Sequence, residues 1–178
     1  MAEWLTFKGY FVRTSVAVGP RDRGGFEGEL DVIALNPGTS HLLHVECSLD
    51  GWSWQERERK FSTKFQCGRR HVPGLFKGFT LPTQPDQAVV LMFAGTDRRK
   101  IGDGRRVRAT ELVAEIINDL SGTTLRSGIV PDVFPLVRTI QLAAAGIRDK
   151  SVGNFRLVPD TAVTFPPSEY HSCPSGVP

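Results

Sequence analysis

The sequence predicts an α/β domain, a mixed central sheet flanked by helices. Three observations carry this. Residues 25–48 read as two β-type segments joined by a short turn. Residues 52–66 switch at once to helical spacing. Residues 88–94 (AVVLMFA) form an unbroken apolar run, short for a helix and suited to a strand buried on both faces.

Taken in order, Met1 to Gly9 reads as a short helical end with Trp4, Leu5 and Phe7 as its apolar residues. Residues 9–18 (GYFVRTSVAV) are a strand by β-branched and aromatic content. GPRDRGG (19–25) is a polar turn. The next two strands take their apolar content from Val32, Ile33, Leu35, Leu42, Leu43 and Val45, and Asn36-Pro37-Gly38 separates them.

Alternation along a strand puts Asp31 on a face with Glu27, Glu29 and Ile33, with Leu30, Val32 and Ala34 opposite. On the second strand His44, Glu46 and Ser48 share one face, and Leu43, Val45 and Cys47 the other, where Cys47 is expected as a buried thiol. If the strands pair as a hairpin, Asp31 and Glu46 meet on one face, away from the turn. Two converging carboxylates repel unless they share a proton or a hard divalent cation. Carboxylate-bound Mg²⁺ keeps several waters, one of which can become a nucleophile. A solvated strand face is the plain alternative.

Residues 52–66 (WSWQERERKFSTKFQ) predict a helix with Trp54, Phe61 and Phe65 on one side. Lys60 and Lys64 stand four apart on a neighbouring side, with Glu56 one turn earlier. Either amine could project to Asp31 and Glu46, with Lys60 the first choice and Lys64 the second. Gln55 is a further candidate contact to phosphate or water. Residues 67–85 are expected as loop from their glycines and prolines, carrying Arg69 and Arg70 for phosphate and His71 as a conceivable proton shuttle.

Residues 95–108 (GTDRRKIGDGRRVR) are the most basic stretch, holding Arg98, Arg99, Lys100, Arg105, Arg106 and Arg108 around a Gly-Asp-Gly turn. They predict an exposed loop or hairpin tip able to grip phosphates, or simply a solubilising loop. Residues 110–120 form an amphipathic helix with Thr110 as its cap. Residues 134–145 form another, ended by Gly146. These helices complete the core or make a dimer face. Residues 154–158 (NFRLV) suggest a short edge strand.

At 178 residues the chain is read as a single domain over 1–165, with 166–178 as a Pro/Ser-rich flexible tail. A net charge of +3 favours a polyanionic partner only weakly, so the clustering of the basic residues counts for more. Three widely spaced cysteines, Cys47, Cys67 and Cys173, argue against a disulfide framework or a zinc site. Cys67 and His71 are four apart with no evident partner, and His41, His44, His71 and His171 show no ligand spacing. His41 and His44 could still lie near the metal. No apolar run approaches the ~20 residues of a membrane span and no secretory signal is visible. A reducing, cytoplasmic setting is expected.

Gly28-Glu29-Leu30-Asp31-Val32-Ile33-Ala34, a turn, then His44-Val45-Glu46-Cys47-Ser48 resembles the core of the PD-(D/E)XK nuclease superfamily. The closer likeness is to its restriction-endonuclease-like and Holliday-junction-resolvase-like members, over roughly residues 1–95. The resemblance implies a restriction-endonuclease-like core. It implies Mg²⁺, with Mn²⁺ able to substitute, held by Asp31, Glu46 and the backbone carbonyl of Cys47. Ser48 stands where the motif lysine usually does, and in some members that lysine has moved to the following helix, where Lys60 and Lys64 are found here. A helix before the first strand often carries an extra glutamate, for which Glu3 is the candidate.

The function expected is Mg²⁺-dependent cleavage of DNA phosphodiester bonds, on double-stranded or branched substrate. Asp31, Glu46, Ser48, Lys60 and Lys64 form the catalytic group. Arg69, Arg70, Arg98, Arg99, Lys100, Arg105 and Arg106 form the nucleic-acid contacts, and a homodimer would cut both strands. Three alternatives stay open: a nuclease-like DNA-binding module without catalysis, an RNA-directed nuclease, and a structural or interaction protein.

Overall fold

The computed structural model describes residues 1–94, 98–123 and 128–148. The edge strand expected at 154–158 and the tail from residue 166 lie outside them. The described residues form a mixed α/β fold around a six-stranded sheet. In chain order the elements are α1 (Ala2–Phe7), β1 (Phe11–Pro20), β2 (Phe26–Asn36), β3 (His41–Ser48), α2 (Trp54–Leu75), β4 (Asp86–Leu91), β5 (Lys100–Ile101), β6 (Gly104–Arg108), α3 (Ala109–Leu120) and α4 (Pro135–Arg148). The strand order is β1-β2-β3-β4-β6-β5. β1, β2 and β3 form an antiparallel meander, while β4 joins β3 and β6 joins β4 in parallel. The β3–α2–β4 crossover supplies the length that a parallel pair needs.

Helix α2 covers one face of the sheet. Its residues Arg57, Phe61, Phe65, Gly68 and Val72 are buried, a stripe at helical spacing. Phe61 and Phe65 pack on Val89, Leu91 and Ile101, and Val72 packs on Ile33, Leu35 and Leu42. The other face meets α1 and α3 through Leu5, Val32, Leu43, Val45 and Val90. Trp4, Ile116, Leu120 and Val137 then knit α1, α3 and α4 together. No helix among the described residues is long and apolar enough to cross a membrane.

The structure corrects five local expectations. Helix α2 does not stop at Gln66 but runs to Leu75, so Cys67 and the eight residues after it are helical rather than loop. Gly68 lies within it because a Cβ there would overlap the His44 ring. The alternation of β2 fails at Asp31: Leu30 and Ile33 enter the same α2-side core, and Val32 the opposite one. The β1–β2 ladder skips Ser15 and Asp31, and Ser15 has a φ of +49°, so the backbone turns over at that point.

Residues 100–108 are a hairpin, but its tip is not free in solvent. Gly102 and Asp103 have φ of +55° and +67°, a primed turn, and a Cβ at Gly102 would meet the α2 backbone at Ser62 within 2.5 Å. The tip is docked on α2, and its Gly102 N–H donates to Glu58 Oε1 at 2.9 Å. Thr110 does not cap α3; Arg108 precedes the helix, and its N–H donates to Glu111 Oε2 at 2.7 Å. Gly146 does not end α4, which continues to Arg148.

Candidate active site

The ladder between β2 and β3 runs from Asn36↔His41 to Val32↔Val45. One step further, Asp31 and Glu46 stand opposite each other. Freed from pairing with β1, the Asp31 N–H points at Glu46 Oε1, 3.4 Å away. Glu46 is fully buried on the α2 side, and Asp31 is partly exposed. Each carboxylate has one oxygen held by the protein. Cys47 N–H donates to Asp31 Oδ2 at 2.8 Å. His44 Nε2 lies 2.8 Å from Glu46 Oε1.

The other two oxygens converge on one cation, the Lys64 ammonium of α2. Lys64 Nζ is 2.9 Å from Asp31 Oδ1 and also donates to Glu46 Oε2. Burial alone would raise the Asp31 carboxyl, but the Cys47 N–H and the Lys64 ammonium outweigh it and hold the group below its usual range. Burial likewise pulls the Lys64 amine down, and Glu46 and Asp31 outweigh it and hold the amine charged. Two hard oxygens already sharing a cation are a donor set that suits a divalent ion of the Mg²⁺ class.

Behind Glu46 runs a buried polar relay. Gln87 on β4 donates from Nε2 to the Phe65 carbonyl at 2.9 Å, and its Oε1 accepts from Arg69 Nη1 at 2.6 Å. The same Nε2 lies 3.0 Å from His44 Nδ1. With Oε1 committed to Arg69, Nε2 is the donor and Nδ1 the acceptor. His44 therefore carries its proton on Nε2 and donates it to Glu46. The His44 ring also meets Phe65 edge-on, with centroids 5.5 Å apart.

Lys60, expected ahead of Lys64, points elsewhere. Its Nζ is 3.0 Å from Asp50 Oδ2 and 4.1 Å from the Trp52 ring centre. Helical geometry explains the exchange: one turn further along α2, Lys64 reaches the open end of the β2–β3 pair while Lys60 overhangs the loop after β3. Ser48 donates to Asp50 Oδ2 at 2.8 Å and so belongs with Lys60. Gln55 is exposed. Cys47 is exposed rather than buried, since its side chain faces an open cleft beside Leu49, Val90 and Met92. Glu3 lies at the opposite helix layer, where its carboxylate accepts the Leu136 N–H at 3.0 Å. His41 is bound to Tyr10 at 2.7 Å, and His71 to Glu27 at 3.0 Å.

The expected phosphate contacts are dispersed. Arg105 and Arg106 leave β6 on opposite faces: Arg105 pairs with Asp86 at 3.4 Å, and Arg106 is nearly buried. Arg98 lies over the Trp54 ring, and Arg99 and Lys100 are exposed. Arg69 is committed to Gln87, and Arg70 to Glu27 at 2.8 Å. Among the described residues, Nε of buried Arg57 and Nε and Nη1 of Arg106 have no hydrogen-bond partner, though Arg106 Nη1 stands 3.9 Å from Glu111 Oε2. Arg57 also stacks on Trp54, and its Nη2 donates to the Asp50 carbonyl at 2.5 Å.

Sequence reasoning missed Gln87, Asp50 and Arg57. Arg57 had a signal, since it occupies the apolar stripe four residues before Phe61. Comparison of the chain with protein-family models, with curated proteins and with solved structures finds no match.

Proposed function

We propose that this protein is a metal-dependent nuclease acting on DNA phosphodiester bonds, with a core of the restriction-endonuclease-like kind. The observation that carries the reading is the meeting of Asp31, Glu46 and Lys64 at one point, each delivered by a different element. Asp31 and Glu46 would hold Mg²⁺ or Mn²⁺ through the oxygens that now face Lys64, with the Cys47 carbonyl as a further ligand. Bound there, a divalent ion supplies an acidified water and offsets charge on the phosphate.

The chain's own groups do the rest. Lys64, released from the carboxylates, donates to a phosphate oxygen or to the attacking water, the task the absent lysine at position 48 would otherwise fill. His44 holds Glu46 Oε1 and so keeps Oε2 turned toward Lys64. Exposed Arg98, beside Trp54, and exposed Arg99 and Lys100 suit phosphate oxygens. A second copy, joined through the exposed Leu136 and Leu142 of α4, would provide the second active site that a double-strand cut needs.

The test is nicking of supercoiled plasmid in Mg²⁺ or Mn²⁺, with EDTA as control, for wild type, Asp31→Asn, Glu46→Gln and Lys64→Met. Metal-dependent nicking lost in all three variants is expected. Salt-sensitive DNA retardation without any cleavage would leave a nuclease-like binding module instead. Neither cleavage nor retardation, on DNA or RNA, would sink the reading in favour of an interaction role.

A further inference from the structure

We propose that Glu27, Cys67 and His71 form a second metal site, one that takes a zinc-class transition-metal ion. In sequence Cys67 and His71 stand one helical turn apart without a third ligand. The fold supplies it, because α2 continues past Gln66 and lies against β2. The three ligand atoms lie within 4.8 Å of one another. Ligands around tetrahedral zinc stand roughly 3.3–3.8 Å apart, so side-chain adjustments of about 1 Å close the site. Thiolate, imidazole and one carboxylate are a soft-to-borderline set that favours Zn²⁺ over Mg²⁺.

Two glycines hold the ligands where they are. A Cβ at Gly19, whose φ is +67°, would come within 2.7 Å of the Glu27 side chain. A Cβ at Gly28 would come within 3.1 Å of Cys67 Sγ. A side chain at Gly19 would displace the Glu27 side chain, and one at Gly28 would press on Cys67 Sγ by a few tenths of an ångström. Without metal, Glu27 Oε2 takes hydrogen bonds from His71 at 3.0 Å and Arg70 at 2.8 Å, and Oε1 has no protein donor among the described residues. The approach is open, along a cleft that Thr63 and Gln66 share with Glu27 and Cys67. An ion bound there would clamp α2 to β2, the two elements that bring Lys64 to Asp31.

Metal-stripped full-length protein titrated with Co²⁺ tests the site independently of any cleavage activity. One equivalent should give the near-ultraviolet thiolate-to-cobalt band and the visible bands of a tetrahedral ion, both bleached by Zn²⁺. The thiolate band should vanish in Cys67→Ser and persist in Cys47→Ser and in Asp31→Asn. Glu27→Gln, an exposed position that leaves the core intact, should weaken Co²⁺ binding at least tenfold and serves if Cys67→Ser does not fold. No thiolate band in the wild type overturns the proposal. So does a band that survives Cys67→Ser, or Co²⁺ affinity unchanged in Glu27→Gln.

Discussion

Gln87 Nε2 lies 3.0 Å from His44 Nδ1, and that bond decides which Glu46 oxygen is left for a cation. It forces the imidazole proton onto Nε2, which then occupies Glu46 Oε1. Replacing Gln87 with Leu removes the donor to His44 and the acceptor for Arg69, and takes from the Phe65 carbonyl its second donor, beyond the helical one. Leaving buried polar groups unpaired costs about 1–3 kcal/mol. Gln87→Leu should lose stability in that range by urea denaturation. Plasmid nicking should also fall, although Gln87 touches neither Asp31 nor Lys64.

The two lysines of α2 give opposite expectations. Lys64→Met removes the amine shared by Asp31 and Glu46 and should reduce nicking by about 10²-fold or more, the scale of a positioned proton-transfer or charge-stabilising group. Lys60→Met breaks an ion pair with Asp50 whose two side chains are 32% and 37% exposed. Such pairs contribute less than about 1 kcal/mol. Single-turnover rates for the two variants should therefore differ by well over tenfold. Equal losses would mean that Lys60 swings into the site when metal and DNA bind.

The approach of Asp31 to Glu46 was legible because it rests on a turn and the pairing register that the turn imposes, whereas the break in alternation at Asp31 was not. The choice between Lys60 and Lys64 was not, since both lie on one side of α2 and only the angle at which the helix crosses the sheet separates them. Gln87 and Asp50 were invisible for a similar reason. Gln87 joins His44 only through the parallel β3–β4 pairing, which no short-range signal encodes.

Glycine misled the reading at Gly68, which looks like a break, whereas Gly102 does form the expected turn. Gly68, Gly102 and Gly104 share a second reason for being glycine. In the fold each is a place where another group passes too close for a Cβ: the His44 ring, the α2 backbone and the Phe65 ring. Nothing local distinguishes a glycine that ends a helix from one that lets a histidine pack against it.

Gly68→Ala follows from this. The added methyl would overlap His44, whose ring is held by Glu46, Gln87 and Phe65 and has nowhere to retreat. Overpacking of this kind costs about 1–3 kcal/mol. In an exposed helix interior the same change would be stabilising by about 1 kcal/mol. A higher melting temperature for Gly68→Ala would show that α2 does not pack on His44 as described. Gly74→Ala, where a Cβ meets nothing within 4 Å, is the matched control and should not destabilise.

Acid sensitivity has a component at Asp50. Hydrogen bonds from the Lys60 ammonium and the Ser48 hydroxyl hold this carboxyl below its usual range. A group depressed in the folded state contributes stability above its unfolded pKa, about 3.9 for Asp, and loses it as pH falls through the lower folded value. The contribution should therefore be full at pH 6 and fade from about pH 5 downward. Because Asp50 is largely solvated, the effect is small, a melting-temperature shift of no more than about 4 °C. Melting temperature followed from pH 6 to pH 3 should fall less steeply in Asp50→Asn than in wild type. The two curves should draw together toward the acid end, as the wild-type carboxyl takes up its proton and loses the Lys60 pair. Parallel curves would mean that Asp50 titrates alike in the folded and unfolded chains, and that Lys60 is held by Trp52 alone.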